Sequence, residues 1–400
     1  MKNTKLHRSL SLFSITMYGI GSILGAGIYV LVGKVSGHAG IFAPASFLVA
    51  AIVATFTAIS YANLSSSIPK SGGEFAYISK AFKSEKFALL IACGVMLSGS
   101  ISSATMANGF VGYLQVFTGI HASIIISAFV LILGALSIWG IQQSAFLVTA
   151  FAFIEFAGLI FVVYCLHDNT NLISSRLTEA ISDFNFSTTT PILAGSFIAF
   201  FAFIGFEDMV NIAEEVKNPK RNMYLSIIFA LIVTSTIYIL ISLFASISLT
   251  PEQLQNSTAP MADLIASKGY NPKIISVVSL FSISNGAIVQ MVMAARILFS
   301  ISRKGIIPKI FSNIHSETRT PIYATLLIIL FILFLALFLE LETLAEMASF
   351  VILLVFTTIN ISWFLIQRSM VERSLISVTI PIAGAITSFG MVVFKLYTLI

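Results

Sequence analysis

The sequence predicts an all-α integral membrane protein, and three observations carry that prediction. Charged residues make up only 10% of the chain and hydrophobic ones 57%, where a soluble domain holds roughly 25% charge; mean hydropathy is +0.98. Apolar stretches of about 20 residues, enough to cross a hydrocarbon core ~30 Å thick, are separated by short polar turns. These stretches are about twice the length of a barrel strand and lack its alternation, so helices are expected to do the spanning.

Spans fall near residues 12–33, 40–66, 87–117, 122–140, 144–166, 190–213, 223–248, 273–302, 320–339, 343–366 and 375–398, eleven in all. Residues 1–11 are basic, with Lys2, Lys5 and Arg8, and enter the first span without a small-residue cleavage site, so that span is expected to be retained. Basic loops favour the cytoplasm. With a cytoplasmic N-terminus, only Lys34, Arg176, Lys268, Lys273 and Lys395 lie outside, which leaves 17 of 22 basic residues inside. The formal charge of +5 then reports topology and calls for no nucleic-acid partner. Cys93 and Cys165 both fall within spans and make no disulfide framework.

Glycines interrupt two spans five apart: Gly19, Gly21, Gly25 and Gly27 in the first, Gly195 and Gly205 in the sixth. An odd number of spans per unit returns the chain inverted, so spans 1–5 and 6–10 read as an inverted pair with the eleventh outside it. Paired broken helices of this kind mark a transporter's binding site near the bilayer midplane. In Gly21-Ser22-Ile23-Leu24-Gly25-Ala26-Gly27-Ile28-Tyr29 the backbone is free to leave α geometry. Unwinding there exposes amide N–H groups at the positive end of the following half-helix, which suits a carboxylate. Such glycines also serve close helix packing.

The stretch GSILGAGIY resembles the first-helix signature of the amino acid-polyamine-organocation superfamily, and three further stretches agree in order. Ile68-Pro69-Lys70-Ser71-Gly72-Gly73-Glu74 is similar to its PKSGG segment. Phe201-Ala202-Phe203-Ile204-Gly205-Phe206-Glu207 with Ala213-Glu214-Glu215-Val216-Lys217-Asn218-Pro219 resembles its FAFxGFE and AEEVKNP pattern. Ala294-Ala295-Arg296 and Ser302-Arg303-Lys304-Gly305-Ile306-Ile307-Pro308 resemble its AxR and RDGxxP ending. The resemblance implies a LeuT-like fold of two inverted five-helix repeats, here 12–166 and 190–366, after a cytoplasmic segment 1–11. An extracellular loop 167–189 joins them, and an eleventh transmembrane helix, 375–398, follows.

That resemblance also implies a substrate site. The amides of Gly25, Ala26 and Gly27 would take a carboxylate, and the Ile23 carbonyl would face an ammonium. Phe201, Ile204 and Gly205 would stand beside substrate, with Phe201 as an aromatic gate. Ser98, Gly99, Ser103 and Met106 of the third span and Gln290 of the eighth would line the pocket; serines there also serve interhelical packing. With no charge assignable to the pocket, a neutral amino acid is expected, though Glu207 or Asp208 facing the cavity would change that.

Glu155 is central in the fifth span, where an ionised carboxylate costs about 2.5–3.5 kcal/mol on insertion scales. Some proton-coupled members of the family carry a lysine there. Glu155 departs from that pattern, so it is expected to take a proton, help bind a cation or pair with Arg296. Glu207 is the second coupling candidate. The expected reading is a proton-coupled carrier of the cell membrane, with sodium-coupled symport or amino acid/polyamine exchange as alternatives and with oligomeric state open. No cofactor or metal is expected: His7, His38, His121, His167 and His315 lie at span ends or in loops, and no HExxH motif occurs. Neither a nucleophile–base set for an intramembrane enzyme nor a channel filter sequence is present.

Overall fold

A computed structural model of the protein describes residues 8–69, 73–140, 145–368 and 375–399. Lys70, Ser71 and Gly72 of the PKSGG segment, together with Lys2, Lys5 and His7, lie outside the described residues. Among those described, sixteen α-helices and a few 3-10 segments occur, with no strand beyond an isolated bridge between Leu10 and Val216. Eight helices are long and apolar enough to cross a membrane, and three shorter apolar ones accompany them. The chain is a multi-pass, all-α membrane protein.

The first span is two helices, α1 (Leu12–Leu24) and α2 (Ala26–Ala39), separated by Gly25 at φ −7°, ψ −142°. α1 starts at Ser11, whose hydroxyl accepts the Ser14 amide at 3.2 Å, as an N-cap should. Then come α3 (Ala43–Ser67), the short α4 (Gly73–Phe82), α5 (Glu85–Gln115), α6 (Ala122–Trp139) and α7 (Ala145–Cys165). Helix α8 (Thr170–Asp183) occupies the segment expected as a loop. It carries exposed Leu172 and Ile181 and an Arg176–Glu179 pair at 2.9 Å.

The sixth span is α9 (Thr189–Ala199), a 3-10 turn Phe200–Phe203, a break at Ile204 and Gly205, and a 3-10 segment Phe206–Glu215. Asn218 and Pro219 then open α10 (Pro219–Ser248). Two short helices, α11 (Pro251–Asn256) and α12 (Pro260–Ala266), precede α13 (Pro272–Arg303), α14 (Ile322–Phe338), α15 (Leu341–Arg368) and α16 (Leu375–Leu399). Sequence patterning did not signal α11 and α12, because their apolar runs are too short to span.

Burial is distributed as a lipid solvent demands. Leu131, Ile132 and Trp139 of α6 and Leu330 and Phe338 of α14 are exposed, while Ser46, Thr57, Ser60 and Asn360 are buried. The buried polar groups satisfy one another: Ser60 donates to Asn360 Oδ1 at 2.7 Å, and Asn360 Nδ2 donates to Thr57 at 2.8 Å. Around them an aromatic cluster of Tyr61, Phe200, Phe206 and Phe356, three of its four ring pairs edge-to-face, joins the sixth span to α3 and α15. Aromatic pairs of this kind add about 0.5–1.5 kcal/mol each beyond area burial.

Three of the six glycines that patterned the sequence, Gly19, Gly27 and Gly195, are packing contacts. A Cβ on Gly19 would meet Met209 Sδ at 2.4 Å, and one on Gly195 would meet Ser46 Oγ at 2.6 Å, both within continuous helix. The interruptions themselves are Gly25 and Gly205 alone. The expectation that Gly19, Gly21 and Gly27 interrupt the first span and Gly195 the sixth is therefore corrected.

Outside the spans, Glu74 on α4 is buried, and its Oε1 accepts the Tyr61 hydroxyl at 3.2 Å. Burial pushes its carboxyl up to about 7 from 4.5, and the Tyr61 bond opposes part of that rise. A raised carboxyl pKa means that the folded state holds the proton more tightly. Stability from this group is therefore complete below about pH 4.5 and is lost as pH climbs through about 7. Glu74→Gln should flatten the melting temperature between those pH values and raise it at pH 8, by a stability on the order of 2–3 kcal/mol. A pH series of thermal melts in detergent checks this; identical pH slopes in the two proteins would refute it.

Candidate substrate site

The two breaks face each other. Gly205, at φ +133°, sits so close to the first span that an added Cβ would lie 2.2 Å from the Ser22 carbonyl oxygen. Only glycine combines that backbone conformation with that approach. Gly27 plays the reciprocal part, since a Cβ there would lie 2.3 Å from Ala202 Cα. Gly25 is different: its nearest neighbour would be Ser22 O at 3.7 Å.

Hydrogen bonds fix this crossing. The buried Tyr238 hydroxyl on α10 is shared between the carbonyls of Ile23, at 2.6 Å, and Ala202, at 3.0 Å, one from each broken helix. Glu207 folds back so that Oε2 accepts the Gly205 amide at 2.8 Å, satisfying a donor that the break removes from any helix. Ser282 on α13 donates to the Gly25 carbonyl at 3.0 Å. At the start of α2, Gly25 supplies no side-chain cap. The opening N–H groups of a helix have no acceptor within it.

Beside the crossing is a cavity with about 390 Å³ of empty space, part of it open to solvent. Its wall comprises Gly21 and Ser22 of α1, Ser102 and Met106 of α5, Phe201, Ile204 and Asp208 of the sixth span, and Asn285, Gly286, Val289 and Gln290 of α13. Asp208 is the one ionisable side chain in this wall. Gln290 Nε2 donates to Asp208 Oδ2 at 3.0 Å.

Of the residues expected from sequence, Met106, Phe201, Ile204 and Gln290 line this cavity. Ser98 and Ser103 do not: their hydroxyls donate to the carbonyls of Ala348, at 3.4 Å, and Ala287, at 3.0 Å, and tie α5 to α15 and α13. Gly99 admits Gln290, whose Oε1 would lie 2.9 Å from an added Cβ. The structure places these three in helix packing and not in the cavity wall. The Ile23 carbonyl already accepts from Tyr238. Gly25, Ala26 and Gly27 are placed at the break beside the cavity rather than in its wall; of Ala26 the backbone alone is described.

Glu155, 1% exposed on α7, takes the Asn285 amide on Oε1 at 3.3 Å, and its backbone carbonyl takes the Tyr29 hydroxyl at 3.0 Å. Arg296, expected as one of its partners, instead lines a separate cavity with Thr318, Arg319 and Pro321. Asn285 thus links Glu155 to the cavity wall, a role no motif signalled. Among the described residues no group of three or more His, Cys, Asp or Glu is arranged to hold a metal ion.

Two broken helices crossing beside a partly open cavity in an all-α membrane protein agree with what the sequence itself matches. Residues 10–399 match the amino acid permease family. The chain is an amino acid permease by family. The permease is 29% identical to the methylthioribose transporter of Bacillus subtilis, over 93% of its own length and 84% of that protein. It is 30% identical to the vacuolar cationic amino acid transporter 2 of Arabidopsis thaliana, over 91% of its length but 60% of the relative's. With the branched-chain amino acid permease of Bacillus subtilis it shares 28% identity over 80% of the chain and 72% of the relative. Family and relatives alike are transporters.

Proposed function

We propose that the permease is a secondary active transporter that moves an amino acid across the cell membrane by alternating access, in symport with protons. The observation that carries this reading is the Gly25–Gly205 crossing, held by Tyr238 beside the cavity. The opening N–H groups of α2, which have no acceptor within the helix, suit the substrate carboxylate. With the N-terminus cytoplasmic, contacts on each side supply closures that a carrier breaks in turn. Inside, Leu10 pairs with Glu215 and Lys217 at the exit of the sixth span, at 3.0 and 2.9 Å. Outside, His38 bonds Glu342 at 2.6 Å and Lys34 bonds the Gln255 carbonyl at 2.7 Å.

Glu155 is the better of the two coupling candidates. Its Oε2 has no hydrogen-bond partner, whereas Glu207 is spent on the Gly205 amide. A carboxylate next to the break, joined through Asn285 to the cavity wall, is placed to exchange a proton as the crossing rearranges. The neutral substrate class expected from sequence rested on a cavity without an assignable charge, and Asp208 in the wall takes that ground away.

In proteoliposomes, substrate-driven acidification of the lumen should be lost in Glu155→Gln, while substrate counterflow, which needs no net proton movement, persists. Unaltered proton flux in Glu155→Gln removes the coupling assignment. Absence of saturable counterflow with any of the twenty amino acids removes the carrier reading.

A further inference from the structure

The cavity wall holds more polar atoms than the protein satisfies. Asp208 Oδ1, Gln290 Oε1 and Ser102 Oγ are buried without a hydrogen-bond partner, in residues 3%, 4% and 1% exposed. All three residues line the same cavity. An unsatisfied buried polar atom costs about 1–3 kcal/mol, and more when charged, so two acceptors and a hydroxyl together point to a ligand that completes them.

The chemistry of that ligand follows from the donors it must bring. A carboxylate accepts only, so the Gln290–Asp208 bond sets the amide orientation and leaves Gln290 Oε1 as a second acceptor. Asp208 takes part in no ion pair among the described residues. A zwitterionic amino acid whose carboxylate sits on the α2 dipole and whose ammonium sits on break carbonyls leaves the Asp208 charge uncompensated. A substrate carrying one more positive charge balances it, and a guanidinium or ammonium also supplies several donors at once.

We propose that Asp208, Gln290 and Ser102 form the subsite for the side chain of the substrate, and that the permease selects amino acids with cationic side chains. The assignment rests on the carrier reading above and specifies its substrate class. Phe201, Ile204 and Met106 supply the apolar sleeve for the methylene stem of such a side chain.

The test compares each basic amino acid with a neutral near-isostere: arginine with citrulline, lysine with norleucine. The full chain in proteoliposomes is preloaded with unlabelled arginine or leucine, and exchange of the radiolabelled compound is competed with each of the four. Arginine and lysine should compete about 10- to 100-fold better than citrulline and norleucine, the range that one charge-assisted hydrogen-bond set implies. Asp208→Asn should bring the arginine-to-citrulline ratio close to unity. The same ratio read from ligand-induced thermal stabilisation in detergent keeps the test open should the variant fail to transport.

Leucine exchange with no advantage for the basic pair overturns the subsite while leaving the carrier intact. An unchanged ratio in Asp208→Asn also overturns it. So does an equal loss for arginine and citrulline, which would place Asp208 on the α-ammonium. If no amino acid exchanges at all, the carrier reading falls along with the subsite.

Discussion

Gly205→Ala is expected to abolish substrate exchange and to lower the melting temperature of the permease. Two costs add at this position. The backbone is at φ +133°, a region that costs a residue with a Cβ about 1–3 kcal/mol. The new methyl carbon would also lie 2.2 Å from the Ser22 carbonyl oxygen and 2.7 Å from its carbon. Those atoms belong to backbone just ahead of the Gly25 break, so relief requires the two broken helices to part. Parting them pulls the Ile23 and Ala202 carbonyls away from Tyr238 and spoils the cavity wall at Ser22 and Ile204. The matched control is Gly390→Ala on α16, where an added Cβ meets nothing within 4 Å. Counterflow and thermal melts of both variants check the expectation; a Gly205→Ala protein that exchanges substrate at the unaltered rate would show that the crossing is not the moving part.

The spans were legible because length and apolarity alone define a helix in lipid, where the chain has no other way to satisfy its backbone. The breaks were legible for a related reason, since Gly-Ala-Gly permits a departure from α geometry. What patterning did not reveal is which glycine does what. Gly27 and Gly195 are absent side chains that make room for Ala202 and Ser46, and Gly25 alone opens the first span. The distinction depends on what the opposite helix presents, information that lies about 150 to 175 residues away along the chain.

The site was half legible. Met106, Phe201, Ile204 and Gln290 follow from their places in the third, sixth and eighth spans. The serines of α5 do not sort by spacing: Ser102 faces the cavity, while Ser98 and Ser103 face α15 and α13. Asp208 was masked by its neighbour. In Glu207-Asp208 either carboxylate was able to face the cavity, and the choice depends on the 3-10 geometry of Phe206–Glu215, which advances about 120° per residue rather than 100°. Asn285 had a readable signal, a polar amide in an apolar helix five positions ahead of Gln290.

Tyr238→Phe is the sharpest test of how the two broken helices act together. The substitution deletes one oxygen and leaves the ring, which packs edge-on against Phe47 and Phe203 at centroid distances of 6.0 and 5.3 Å. Two buried carbonyls, of Ile23 and Ala202, then lose the side-chain donor that joins them. Their desolvation should cost about 1–3 kcal/mol, seen as a lower melting temperature. A purely structural bond would stop there. If the hydroxyl is the tie that makes the breaks move as one, the variant also loses coupling: proton flux driven by substrate falls relative to counterflow, because each half-helix can rearrange without the other. Measuring both fluxes in the same vesicles separates the cases. A protein with reduced stability but an unchanged ratio of proton flux to counterflow would reduce Tyr238 to a packing residue and move the search for the moving tie to Glu207 and the Gly205 amide.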